Sequence, residues 1–413
     1  MAWGEVAPTE GTEGLLKTML NTNDLKTKTV VLKALVRTGT KASLPDLAAG
    51  AAAVGYKDDP TGAADAYVQL IKRVCKQWDT KEASSAAQCL MKNATKAGIM
   101  QMRIASLEVV FATQADKLKT LKTALRDPDK SYRNAALRYA SGYADHTMYT
   151  ELFKMLPKAG KAEKVDLLNW IGNEAQCPAK RDILKTIETG IEKTGTQTLV
   201  QQLELPDADV RQAAAFALVK IGNKDAISAL AGLLKSEDAR TLALAKNILS
   251  SFDGDVSSVI VKMMGTASGE GKKTALELLA LRKANSYFNA VLEQTKSASP
   301  VVKMAAYNAL KDVVSEKDFV ILCGMLETSE PAVIKQVQQA VVSAVSSMSP
   351  AEQTGMITRR MLHAGDSKKY LYYPVLASTG DSEALDLIVK GFETESGPAK
   401  EAAFDALLAW KSL

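Results

Sequence analysis

The chain has 413 residues, of which 46% are hydrophobic and 24% charged, and carries a formal net charge of +5. That length allows two or three ordinary domains, and no stretch is long and apolar enough to cross a membrane as a helix. The charge is uneven: residues 1–200 hold 29 Lys and Arg against 22 acids, residues 201–413 hold 23 against 25, which permits electrostatic steering but falls short of the concentrated positive charge of a committed nucleic-acid binder.

From the N-terminus, residues 28–35 (KTVVLKAL) and 65–74 (DAYVQLIKRV) read as degenerate amphipathic helices, with residues 49–62 (AGAAAVGYKDDPTG) between them as an irregular loop. From residue 100 onward a regular signature takes over. With the last apolar residue of the pattern at 210–218 (VRQAAAFAL) as position 0, the pattern recurs at Val110, Ala140, Ile171, Leu218, Leu249, Leu279, Leu310, Val341, Leu376 and Leu407. The intervals are 30, 31, 47, 31, 30, 31, 31, 35 and 31 residues, and a fixed period of this size predicts a stack of helical hairpins.

Positions 0, −1 and −4 share one stripe of a helix. Position −4 is alanine at Ala136, Ala214, Ala245, Ala275, Ala306 and Ala403, where a small side chain lets a neighbouring helix approach closely. Position −11 is a polar or acidic residue at Asp129, Asp207, Asp238, Ser268, Ser299, Glu330 and Ser396, as expected for residues that cap the helix starting just after them. A second apolar run follows each first helix, as at residues 226–234 and 319–326. The long interval before Leu218 predicts an additional helix within residues 179–192.

A basic residue stands at position −7 in Arg103, Arg133, Lys164, Arg211, Lys272, Lys303, Lys369 and Lys400. Such a column could be a phosphate-binding stripe or an internal ladder pairing bases with acids of adjacent turns; charge repeated beside capping acids favours the ladder.

Chemistry has little raw material here. The two histidines, His146 and His363, are not followed by glutamate, and Cys75, Cys89, Cys177 and Cys323 show no metal-ligand spacing, so they read as plain buried thiols and no metal or cofactor is expected. Residues 265–274 (GTASGEGKKT) superficially resemble a phosphate loop, but Lys273 stands where Ser or Thr is required, and the segment reads as an inter-repeat turn. The Asn93-Ala94-Thr95 sequon is assigned no role.

Two surfaces are candidates for a partner. Lys119, Lys122 and Arg126 share one face of a second helix, with Lys117 nearby, and could meet an acidic partner. Further on, residues 349–352 (SPAE) read as a capping box; Arg359 and His363 lie on the solvent face of the helix that follows. Tyr370, Tyr372 and Tyr373 come next, with Pro374 expected to kink their helix. Tyr372 falls on the core stripe, whereas Tyr370 and Tyr373 are expected to be partly exposed.

The D-x-D-V-R run at residues 207–211, the alanine-rich stripe and the period resemble the HEAT-like family, including the repeats of phycobilisome lyases, most clearly over residues 207–234 and more weakly over 100–413. The resemblance implies an all-α, right-handed α-α superhelix (a HEAT/ARM-like solenoid) of about twelve hairpins, with residues 1–99 as degenerate capping repeats and 100–413 as one continuous array. It also implies that second helices line the concave face and that the Asp and Arg of each turn form a ladder. The family's catalytic branch, deoxyhypusine hydroxylase, holds iron on His-Glu pairs that this chain lacks.

The expected role is therefore a non-catalytic protein-interaction scaffold whose partner is a protein or an adjacent domain, with neither membrane nor small-molecule cofactor involved. The alternatives are a nucleic-acid-binding HEAT-like protein and a chaperone resembling the tetrapyrrole lyases. A looser likeness, in composition and repeat style, is to the helical-repeat regions of Bacteroidetes multidomain proteins with a sugar-hydrolase-like domain. It implies a periplasmic location, with the cytoplasm as the alternative, and a native chain that continues past Leu413, since the last first helix has no second helix after it.

Overall fold

The computed structural model describes residues 10–77, 80–190, 193–252 and 254–410. They contain twenty-five α-helices joined by short turns and single 3₁₀ turns, grouped into two compact units, Met1–Ile221 and Gly222–Leu413. Each unit is a stack of helical hairpins, so the all-α class and the hairpin unit both follow from the periodicity.

In the first unit the degenerate helices are Leu25–Thr38 and Ala63–Gln77. The loop between them is shorter than expected: the helix Leu44–Ala53 takes in its first residues, and the irregular part begins at Val54, where Gly55, Tyr56 and Gly62 have positive φ. The regular first helices are Met100–Thr113, Lys130–Ala140, Lys161–Glu174 and Ala208–Ile221, with Lys117–Leu125, His146–Met155 and Pro178–Lys185 as second helices. In the second unit Ala239–Ser250, Gly269–Leu281, Pro300–Val313, Ile334–Val345 and Pro398–Leu408 carry the signature, and helices such as Phe319–Thr328 and Pro350–His363 return.

The stripe is core. Position 0 is buried in every repeat except the last, where Leu407 is half-exposed, and the six alanines at −4 are fully covered. Because their methyl groups are the contact surface between adjacent helices, Ala214→Phe or Ala306→Phe is expected to overpack the stack and cost about 1–3 kcal/mol. Urea unfolding with wild-type midpoints in both variants would show the register to be wrong.

The caps form where the sequence places them. Asp129, Asp238 and Ser268 each accept the backbone N–H three residues on, from Tyr132, Thr241 and Gly271, all at 3.0 Å, and Asp207 accepts from Val210 at 3.2 Å. Ser299 and Glu330 precede their helices without a side-chain bond, and the last repeat uses Gly397, not Ser396. Helix ends are also closed from the following repeat: the Arg282 guanidinium donates to the carbonyls of Leu249 (2.9 Å), Ser250 (3.3 Å), Phe252 (2.9 Å) and Gly254 (2.6 Å).

Two local expectations change. The long interval holds a helix where one is expected, Pro178–Lys185, but more besides: an antiparallel pairing of Glu188–Gly190 with Lys193–Thr194, and the helix Gly195–Leu203. Thr194 then caps that helix in a reciprocal box with Gln197. Pro374 does not kink a helix; it sits in the first turn of the short helix Tyr373–Ala377, after a 3₁₀ turn at Lys369–Tyr372, because its missing N–H is harmless only in a first turn.

Candidate functional site

The basic column at −7 is a ladder in several repeats. Arg103 pairs with Asp127; Arg133 Nε donates to Asp166 Oδ2 at 2.7 Å while its Nη1 holds the carbonyls of Asp127 and Pro128. Lys303 pairs with Glu330 at 3.1 Å, Arg211 Nη1 reaches the carbonyls of Leu205 and Pro206, and Lys400 lies over the Phe392 ring. Arg133 is 5% exposed, so its charge is directed inward and not toward a ligand.

The first candidate surface is assembled as expected. Lys119, Lys122 and Arg126 line one shallow depression of about 340 Å³ with Asp116, Leu118 and Thr123. Lys122 is held by Glu151 at 3.1 Å, which also takes Lys154 at 3.1 Å, and these two ammonium groups hold the Glu151 carboxyl below the usual carboxylate range. Lys117 is turned away: its Nζ donates to the carbonyls of Phe111 and Gln114 and lies 4.5 Å from the centre of the Tyr143 ring.

The second candidate surface is divided. Arg359 and His363 are exposed on Pro350–His363, whereas Tyr370 is half-buried in a groove formed by other helices. Tyr373, expected to be partly exposed, is 4% exposed. Its ring lies against Gly391, where an added Cβ would stand 2.4 Å from the phenol oxygen; the absence of a side chain there lets the ring be covered. Tyr372 is core, as expected, and its hydroxyl donates to Glu327 at 2.6 Å, with Arg360 2.9 Å from the same carboxylate. Burial raises the Tyr372 phenol, the Glu327 carboxylate raises it further, and burial pushes the neighbouring Cys323 thiol up to about 11.

The cysteines differ from the expectation of buried thiols. Only Cys323 is buried; Cys75 is half-buried, and Cys89 and Cys177 are exposed. Cys177 stands at the cap position of Pro178–Lys185, a turn that faces solvent. Among the described residues no three His, Cys, Asp or Glu side chains come together as a metal site, and no helix is long and apolar enough to cross a membrane. In the phosphate-loop look-alike, Gly271 is packed so closely on the carbonyl of Leu234 that a Cβ would lie 1.7 Å from its oxygen.

Further concave surfaces lie between consecutive first helices. One groove, of about 860 Å³ in the first unit, is bordered by Val165, Asn169, Asn173, Gln212 and Phe216, with Lys161 bridging Asp207 and Asp209 at 2.8 Å each. Another, of about 610 Å³ in the second unit, is lined by Lys273, Glu277, Leu281, Val301, Met304 and Asn308, among others. There Leu281, Val301 and Met304 remain 60%, 45% and 37% exposed. In repeat coordinates these are positions −9, −6, −2 and +2, for which the periodicity predicts no role. The signal is present: the spacing is one helical face, and its residues change chemistry from repeat to repeat while the buried stripe does not.

Residues 196–267 match the family described as HEAT repeats. No curated protein matches the chain. Among solved structures, an engineered protein is 17% identical over 96% of this chain and 98% of its own, with a TM-score of 0.32. The karyopherin Kap121p bound to the extreme C-terminus of the protein phosphatase Cdc14p is 10% identical over 93% of this chain, with a TM-score of 0.44. Kap121p bound to the SUMO protease Ulp1p is 11% identical over 98%, with a TM-score of 0.40. This chain spans about half of the karyopherin, 47% and 53% in the two complexes. The match over residues 196–267 makes that stretch HEAT repeats, and capped, alanine-striped helical hairpins continue on either side of it.

Proposed function

We propose that the chain is a non-catalytic interaction scaffold that holds segments of partner proteins in the grooves between its first helices. The observation that carries this reading is the groove of the second unit, where Leu281, Val301 and Met304 stay exposed side by side in a concavity of about 610 Å³. Large apolar side chains left open in a depression, with charged residues beside them, are the surface a protein partner covers. Lys246 and Glu277 at its edge are paired at 2.5 Å, which keeps that wall near neutral and suits a peptide better than a polyanion. The loose likeness to Bacteroidetes multidomain proteins supports a scaffold working in the periplasm as part of a larger assembly.

A photo-crosslinking amino acid at position 301, introduced in cells of the source organism, is expected to yield a protein adduct identifiable by mass spectrometry. Met304→Glu should remove that adduct without altering the circular dichroism spectrum, because the side chain is already partly in water. Absence of any adduct, or adducts to nucleic acid alone, would refute the scaffold reading.

A further inference from the structure

The second-helix face of the Met1–Ile221 unit is chemically unlike the grooves. Its helix Lys117–Leu125 reads KLKTLKTAL, with three lysines and no acid, and is followed at once by Arg126. Lys117 and Lys122 are occupied within the fold, the first on carbonyls and the second on Glu151. Lys119 and Arg126 are exposed and line the same depression. Seven residues of helix separate their Cα atoms by about 10.5 Å along the axis, nearly the span of three residues of polyproline II chain, about 9.3 Å, in which side chains three apart share one face.

We infer that this face is a docking site for an acidic polypeptide segment, whose carboxylates pair with Lys119 and Arg126. The inference rests on the scaffold reading and adds a second, electrostatic contact surface to it. Two separated cations are what this face leaves open: Asp127 is paired with Arg103, Glu151 with Lys122 and Lys154, and Asp116 caps the helix. A nucleic-acid backbone carries charge at every residue, so most of its phosphates would meet no cation here and one would face Asp116. A peptide with acids spaced by neutral residues meets the two cations and leaves the acids unopposed. Leu118 and Thr123 provide the uncharged floor on which the spacer residues rest.

The test uses the full chain and a fluorescein-labelled peptide of Glu-Gly-Ser repeats, followed by fluorescence anisotropy at low and physiological salt. Binding is expected, and Lys119→Glu combined with Arg126→Glu should weaken it about tenfold, the effect of reversing two partly solvated charges. The same charge change on the second unit, Lys262→Glu with Lys296→Glu, should leave it unaltered. The milder pair Lys119→Gln and Arg126→Gln, checked by circular dichroism, covers the case in which charge reversal unfolds the helix. Failure of the peptide to bind, equal losses from both reversed pairs, or tighter binding of a single-stranded oligonucleotide that the first pair abolishes would each overturn the inference. Because crosslinking at position 301 reports the other unit, the two readings can fail separately.

Discussion

Arg133→Ala is expected to destabilise the protein by about 3–5 kcal/mol, the cost of removing one partner of a buried ion pair. Arg133 and Asp166 are 5% and 4% exposed, their charged groups are 2.7 Å apart, and the same guanidinium satisfies the carbonyls of Asp127 and Pro128. The alanine leaves the Asp166 carboxylate without its cation and two backbone oxygens without their donor. Arg133→Met fills the space yet should cost nearly as much, since volume is not what is lost. Combining it with Asp166→Leu removes the stranded charge and should recover most of the loss; the remaining deficit then measures the two carbonyls. Urea unfolding of the wild type, Arg133→Met, Asp166→Leu and the double variant closes this cycle. A single alanine variant within about 1 kcal/mol of wild type would show the pair to be no more than a surface contact.

Gly271→Ala should cost about 3 kcal/mol, the upper end of the overpacking range, although it adds one methyl group to a helix. Gly271 has no positive φ, so its backbone conformation accepts any residue; the obstacle is the Leu234 carbonyl, 1.7 Å from the position of an added Cβ. A backbone oxygen cannot rotate away as a side chain can, so the two repeats must separate. Gly269→Ala, two residues earlier with nothing within 4 Å of its added Cβ, should be neutral or gain up to about 1 kcal/mol from helix propensity. The pair of melting curves separates helix propensity from packing: equal midpoints for the two variants would remove the explanation given for the look-alike phosphate loop.

The architecture was legible in the sequence because a repeated hairpin states the same constraint many times. Ala214, Ala245 and Ala275 occupy one position for one reason, close helix approach, and Asp129, Asp207 and Asp238 another, the N-cap. The direction in which Arg133 points was legible for the same reason. What was not legible arises where one residue depends on a distant one without a repeat behind it. The burial of Tyr373 depends on Gly391, the paired strands at Glu188–Gly190 and Lys193–Thr194 occur in the one long interval, and Pro374 shortens its helix by acting in its first turn. The grooves went unread because their column at −9, −6, −2 and +2 is variable by nature: regularity marks what the fold needs, and a binding face is where the fold needs little.

Arg282 has a consequence for how the chain is made. The helix Ala239–Ser250 and the turn after it hand four carbonyls to a side chain that lies 28–33 residues downstream. On a ribosome that side chain does not yet exist when the helix emerges, so the end of the helix must wait, frayed and hydrated, for its successor to be translated. At this junction order therefore follows synthesis by one hairpin, and a pause between codons 254 and 282 would hold open the very stretch that the later arginine closes.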